Sequence, residues 1–127
     1  MSMYEVSVCV NFRATHALPL GGGRMEEAHE HLWETTATFR SARLDGETGV
    51  AIDFLVVREA LERIACRFDG RDLNLLDEFT GAATSAENLA ACIAGELSDA
   101  LPGEAALYRL AVTEAPGCSA AYYPGDP

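Results

Sequence analysis

Alternation opens the chain. From Tyr4 to Phe12, the apolar Val6, Val8, Val10 and Phe12 interleave with Glu5, Ser7, Cys9 and Asn11. That is the period-two spacing of a strand with one face buried. A second alternating run, from about His31 to Arg43, passes through Leu32, Trp33, Glu34, Thr35, Thr36, Ala37, Thr38 and Phe39. The period then changes. Leu55, Val57, Ala60, Leu61, Ile64 and Ala65 recur at helical spacing, and Asp53 stands where an N-cap is wanted. These predict a helix from about Phe54 to Arg67. Phe68 to Phe79 carries no clear period. Thr84-x-x-Glu87 has the form of a capping box, followed by Leu89, Ile93, Leu97 and Leu101 on one stripe. The second helix should stop at Pro102-Gly103. Leu107 to Thr113 reads as a third strand, Glu114-Ala115-Pro116-Gly117 as a turn, and Cys118 to Tyr123 as a short fourth strand. Pro124 to Pro127 reads as a tail.

The order β-β-α-α-β-β predicts an α+β fold: an antiparallel four-stranded sheet with two helices on one face. Such a sheet has two edges to pair or cover, which points to a homo-oligomer. Gly21-Gly22-Gly23 reads as a flexible loop; no Gly-Lys-Ser/Thr follows to make a phosphate loop. Asp45 to Gly49 is a turn cluster, and Val50-Ala51-Ile52 is a short apolar run.

At 127 residues and 49% apolar content, one domain spanning 1–127 with a genuine core is expected. The four cysteines, Cys9, Cys66, Cys92 and Cys118, form no C-x-x-C and read as small core hydrophobes. Net charge is −11 and every basic residue is Arg. So acidic a chain is a poor match for nucleic acid or an anionic membrane surface. Arg13 and Arg24 flank the histidine region and could help hold an anionic ligand. The start has no signal-peptide pattern, and no run is long enough to span a bilayer, so a soluble cytoplasmic protein is expected.

All three histidines lie close together: His16, His29 and His31. His29 and His31 are two apart at the head of an alternating run, so a strand would turn both to one face. His16 follows the first strand and could bring a third imidazole to the same point. Three histidines with an open fourth position form a catalytic zinc set. Spacing alone leaves ordinary hydrogen-bonded histidines equally open.

Six motifs in order resemble the 6-pyruvoyl-tetrahydropterin synthase / 6-carboxytetrahydropterin synthase family, which has the tunnelling fold. Phe12-Arg13-Ala14-Thr15-His16 is similar to Phe-x-Ala-x-His, and His29-Glu30-His31 stands where the family has His-Gly-His. Thr48-Gly49-Val50-Ala51-Ile52-Asp53-Phe54 is similar to Thr-Gly-Met-Val-x-Asp-Phe. Asp69 with Leu73-Asn74 resembles Leu-Asp-His-x-x-Leu-Asn. Ser85-Ala86-Glu87-Asn88-Leu89-Ala90 resembles Pro-Thr-x-Glu-Asn-Leu-Ala, with Thr84 in place of Pro, and Val112-Thr113-Glu114 resembles the stretch ending in the family's Glu that precedes the last strand. The resemblance implies zinc at His16, His29 and His31, and a pterin ring held by Glu114. Such a carboxylate can accept two parallel N–H bonds. It also implies a hexamer, a dimer of trimers, with active sites at subunit interfaces and a small-molecule pterin as substrate.

The chain departs from the family at the base. Members acting on dihydroneopterin triphosphate use a cysteine before His-Gly-His, and Gly21 to Glu27 contains none. The histidine after the family Asp is Gly70 here, so only Asp69 of a Cys-Asp-His triad remains. Glu30 replaces the middle Gly, on the strand face opposite the ligands. The available bases are carboxylates: Glu26, which makes a Glu-x-x-His29 spacing, and Glu27. A branch of the family carries Glu in place of Cys and cleaves the side chain to 6-hydroxymethyl-dihydropterin. Three readings follow: a zinc-dependent lyase of the synthase type, a side-chain-cleaving variant using Glu26, and a non-catalytic zinc- and pterin-binding relative. The last predicts a pocket blocked by Met25 or Glu30.

Overall fold

The computed structural model describes residues 2–101, 103 and 106–125. Strand β1 runs Tyr4–His16, β2 Pro19–Gly21, β3 Arg24–Met25 and β4 His29–Ser41. Helix α1 spans Phe54–Phe68 and is followed by β5, Arg71–Asp72. Two single 3-10 turns, Leu73–Leu75 and Asp77–Phe79, lead to helix α2, Ala86–Ala100. Strands β6, Leu107–Ala115, and β7, Cys118–Tyr122, close the order.

The sheet is five-stranded and mixed, in the order β5-β1-β4-β6-β7, where four antiparallel strands were expected. The additional strand β5 pairs parallel with β1 through Ala14–Arg71 and Thr15–Asp72. Two residues are too few to show a period. What makes them a strand is a backbone bond from Gly70 N–H to Arg13 O at 2.7 Å and the Asp69 carboxylate on Arg13 N–H at 2.9 Å. Together these lay the chain along the β1 edge. From Tyr4 to Phe12 that edge has no strand partner among the described residues.

Register places the inward face. Phe12 pairs with Trp33, Ala14 with His31 and His16 with His29 across β1 and β4; Thr35 pairs with Val112 and Ala37 with Leu110 across β4 and β6. These residues share one face, and both helices pack their apolar stripes against it. Val8, Phe12, Trp33, Ala37, Phe39 and Leu110 form one cluster with Leu61, Ile64 and Phe68 of α1 and Leu89, Ile93 and Leu97 of α2. Each large side chain buried there contributes roughly 1.5–3 kcal/mol. Asp53 caps α1 as expected, its carboxylate accepting from Leu55 N–H at 2.8 Å.

Other expectations shift. The α2 cap is Ser85, whose hydroxyl accepts from Asn88 N–H at 3.1 Å. Thr84 is buried instead, because its hydroxyl has a partner in Asn74 Oδ1 at 3.1 Å. Both long strands reach the histidines: β1 continues past Phe12 to His16, and β4 starts at His29 rather than His31. Gly21 to Gly23 forms the tip of the β2–β3 hairpin, with all three glycines at positive φ. The cysteines are not core residues. Cys9, Cys66 and Cys118 are exposed and Cys92 is half-buried. Cys9 sits at an outward position of β1, and Cys66 on the solvent side of α1. The α2 stop expected at Pro102 and the tail residues Asp126 and Pro127 fall outside the described residues. No described helix is long and apolar enough to cross a membrane.

Candidate metal centre

The three histidines meet at the end of the sheet where β1 finishes and β4 begins. One ligating nitrogen from each of His16, His29 and His31 lies within 4.8 Å of the other two. The rings stand edge to face, with centroids 4.8 Å apart for His16–His29, 5.2 Å for His16–His31 and 4.5 Å for His29–His31. Trp33 forms the floor. It is fully buried, donates its indole N–H to Ala14 O at 3.1 Å, and meets His16 edge-on at 4.9 Å.

Tautomers are set by carbonyl groups, which can only accept. His16 Nδ1 lies 2.7 Å from Thr84 O, and His29 Nδ1 lies 3.0 Å from Glu27 O. Each Nδ1 therefore carries the proton, and in the neutral ring each Nε2 presents a lone pair. A ligating histidine is commonly oriented in this way by a carbonyl behind it. Thr84 is held in turn by Asn74, through its hydroxyl. Asn74 Oδ1 accepts from Ala17 N–H at 2.9 Å and from Thr84 Oγ1, and Asn74 Nδ2 donates to Ala17 O at 3.0 Å.

The donor set fits a metal. The buried Nε2 atoms of His16 and His31 have no hydrogen-bond partner. Glu114 Oε1 lies 2.9 Å from His16 Nε2 and 3.9 Å from His31 Nε2. At 2.9 Å, a lone pair facing a carboxylate oxygen needs a shared proton or a cation between them. Burial lowers the His31 pKa below its ordinary 6.5; Glu114 opposes this and the His29 and His16 rings add to it. Neutral imidazole is the form that binds metal.

Glu114 reaches this point because it follows Leu110 and Val112 on the inward face of β6. A register shift beside it, between Thr113 and Ala115, marks where β6 loses regular pairing. Glu26 is also at the centre. Its Oε1 accepts from Leu18 N–H at 2.9 Å and lies 3.9 Å from His29 Nε2. Glu27 supplies its backbone carbonyl to His29, while its side chain is exposed. Asp69 stands apart. Its carboxylate is engaged by Arg13 N–H, and the cleft it lines holds Cys9, Asn11, Arg58, Glu62 and Cys66 but no histidine. Met25 is exposed in β3, and Glu30 points outward, 3.7 Å from Arg13. Neither is packed over the histidines.

Before Glu34, from His29 to Trp33, β4 has no β6 partner among the described residues. The gap is a cleft of about 500 Å³ lined by Glu30, His31, Leu32, Glu34, Thr113, Glu114 and the Ala115-Pro116-Gly117 turn. It leads from solvent to His31 and Glu114. Sequence reasoning gave Thr84 only a helix-capping role and assigned none at this site to Asn74 or Trp33. Leu73-Asn74 was legible as part of a motif, whereas the Thr84 contribution is a main-chain atom and leaves no mark in residue type.

Together these features define a tunnelling-fold α+β protein with an open three-histidine centre. A family model for 6-pyruvoyl tetrahydropterin synthase matches residues 5–125, and the chain belongs to that family. Among solved structures, the Caenorhabditis elegans 6-pyruvoyl tetrahydropterin synthase is similar, with TM-score 0.86 and 17% identity, covering 98% of each chain. The Plasmodium vivax enzyme matches with TM-score 0.79 and 16% identity, over 99% of this chain and 100% of that one. A P. vivax variant, in which a glutamate named as a catalytic residue is replaced by alanine, matches with TM-score 0.77 and 15% identity over 99% and 100% of the chains. A search of curated proteins finds no match.

Proposed function

We propose that this protein is a zinc-dependent pterin-processing enzyme of the 6-pyruvoyl/6-carboxytetrahydropterin synthase type, with Glu26 as its proton-transfer base. The observation that carries this is the Glu26 carboxylate, 3.9 Å from His29 Nε2, beside the buried Nε2 atoms of His16 and His31. His16, His29 and His31 would hold the metal. When bound, a divalent ion there acidifies a C–H bond next to an oxygen it polarises. Glu26 takes that proton and returns it to a neighbouring atom of the side chain. The Leu18 N–H bond orients the Glu26 carboxylate. Glu114, at the inner end of the cleft, accepts the amino and ring N–H groups of the pterin. Glu27 holds His29 through its carbonyl.

Asp69 lines a separate cleft that holds no histidine, so a catalytic part for it would come through a second copy. The open β1 edge supports assembly of copies along the sheet, and a hexamer made as a dimer of trimers belongs to this proposal. The protein would work in the cytoplasm.

A second reading is side-chain cleavage to 6-hydroxymethyl-dihydropterin. Glu26 standing where the family has Cys supports it, as does the P. vivax enzyme with its catalytic glutamate. The test is incubation of zinc-loaded protein with dihydroneopterin and with its triphosphate, followed by chromatography with mass detection. A 6-pyruvoyl or 6-carboxy product establishes the synthase reaction, and a 6-hydroxymethyl product establishes cleavage. Either should fall about 10²- to 10⁴-fold in Glu26→Gln with zinc content unchanged. A pterin bound in stoichiometric amount but never altered would contradict catalysis and leave the non-catalytic relative.

A further inference from the structure

Glu114 reaches in among the histidines. Its Oε1 lies 2.9 Å from His16 Nε2 and 3.9 Å from His31 Nε2. The Thr84 carbonyl fixes the His16 proton on Nδ1, so Nε2 turns a lone pair toward that oxygen. Two electron-rich atoms hold such a contact only with a cation or a proton between them. Ligands of one zinc ion, each about 2.0–2.2 Å from it, stand no more than about 4.3 Å apart. Both Glu114 distances fall inside that limit. Glu26 Oε1 is 3.9 Å from His29 Nε2, but it already accepts the Leu18 N–H and meets one histidine, where Glu114 meets two. Glu114 has no Arg partner and no backbone N–H on its carboxylate among the described residues. The register shift between Thr113 and Ala115 gives β6 the local bend that aims this side chain at the centre.

We infer that Glu114 is the fourth protein ligand of the substrate-free metal centre, and that an incoming pterin displaces it. The displacement rests on the pterin reading above. With Glu114 in the fourth position, the centre is closed while the cleft is empty. A substrate oxygen takes that position only as the carboxylate leaves it. The freed carboxylate, 28% exposed at the inner end of the cleft, then accepts the ring N–H groups. One side chain thus couples recognition of the ring to opening of the centre. A small oxygen ligand that carries no such N–H pair gains nothing to offset the lost carboxylate, and is excluded.

The test loads the protein with cobalt(II) in place of zinc, because its visible absorption reports the ligand set and geometry. The parent is compared with Glu114→Gln and with Glu34→Gln, which removes a charge from the same cleft. Zinc affinity is measured beside it by chelator competition. Glu114→Gln should shift the cobalt spectrum and weaken zinc by at least about tenfold, since loss of a group that only supports a ligand already costs about 10- to 100-fold. Glu34→Gln should do neither. Dihydroneopterin is then added to saturation to cobalt-loaded Glu26→Gln and Glu26→Gln/Glu114→Gln, with binding followed by equilibrium dialysis. The two spectra should differ without pterin and coincide with it, because Glu114 is off the metal in both complexes. An unmoved spectrum and affinity in Glu114→Gln, or an equal change in Glu34→Gln, would overturn ligation by Glu114 and leave the pterin reading standing. Pterin-bound spectra that differ as much as the free ones would overturn the displacement. A protein that holds cobalt but binds no pterin would sink the pterin reading and the displacement with it.

Discussion

Two polar clusters lie against the same core and are built on opposite principles. Between the helices, Arg67 reaches from α1 to Glu78 of the second 3-10 turn and to Glu96 of α2, forming an ion pair with each. The guanidinium fork is matched by two carboxylates, with one Glu96 oxygen left over, and every ionised group of the cluster has an opposite charge beside it. At the histidine end, Nδ1 of His16 and of His29 is tied down by a carbonyl, while the buried Nε2 of His31 makes no hydrogen bond and that of His16 meets only the Glu114 carboxylate. An unsatisfied buried polar group costs about 1–3 kcal/mol. The difference teaches that the histidine end is organised for something that arrives from outside.

The largest expected effect breaks that open cluster. His16→Ala removes the one fully buried imidazole and should lower turnover by about a thousandfold or more, since the metal supplies several kcal/mol to such chemistry. Zinc content should fall with it. Turnover within tenfold of the parent, measured at saturating zinc, would mean that the orphaned nitrogens have another purpose.

A smaller effect is expected one layer out. Asn74→Ala leaves every ligand in place but frees the Ala17 backbone and the Thr84 hydroxyl. Zinc affinity should drop about 10- to 100-fold, as is usual when the support behind a ligand is lost. Competition with a chromophoric chelator reads this directly. An unchanged affinity would show that the Thr84 carbonyl needs no such support.

The pH response separates the clusters further. Burial holds the His31 pKa below 6.5, so between that folded value and 6.5 the unfolded chain binds more protons than the folded one. Stability of the metal-free protein therefore rises with pH in that window. No penalty applies above 6.5, and it grows as the pH falls below that value. Chemical denaturation at pH 7.5 and 5.5 should show the loss, and His31→Gln should remove the His31 share of it. A slope unchanged in His31→Gln would place the proton uptake elsewhere.

The smallest effect belongs to the closed cluster. Burial, with Glu96 and Glu78 nearby, pushes the Cys92 thiol up to about 11. The thiolate is the reactive form, so a thiol reagent at pH 8 should modify the exposed Cys9, Cys66 and Cys118 first and Cys92 last. Mass mapping of the labelled sites checks the order.

Much of this was legible in residue order. Period-two runs located β1 and β4, period 3.6 located both helices, and His-x-His on a strand put two imidazoles on one face. Six motifs in sequence located the family. What was illegible depends on contacts made by other parts of the chain. Strand β5 is two residues whose conformation is imposed by the edge they lie on. Thr84 looked like a cap because its side chain suits one, yet a partner in Asn74 drew it inward. The cysteines looked apolar enough for a core, but their positions on β1 and α1 face out. The carbonyls that set the histidine tautomers are backbone atoms of Thr84 and Glu27, and any residue type would have supplied them.

The central claim is that three imidazole nitrogens hold a metal at the end of this sheet. Zinc K-edge X-ray absorption on protein loaded to one equivalent tests it most directly. The account predicts three nitrogen ligands at about 2.0–2.1 Å completed by oxygen, with the histidine signature lost in His16→Ala. Failure to retain one zinc per chain, or sulfur at about 2.3 Å from the exposed cysteines, would contradict it.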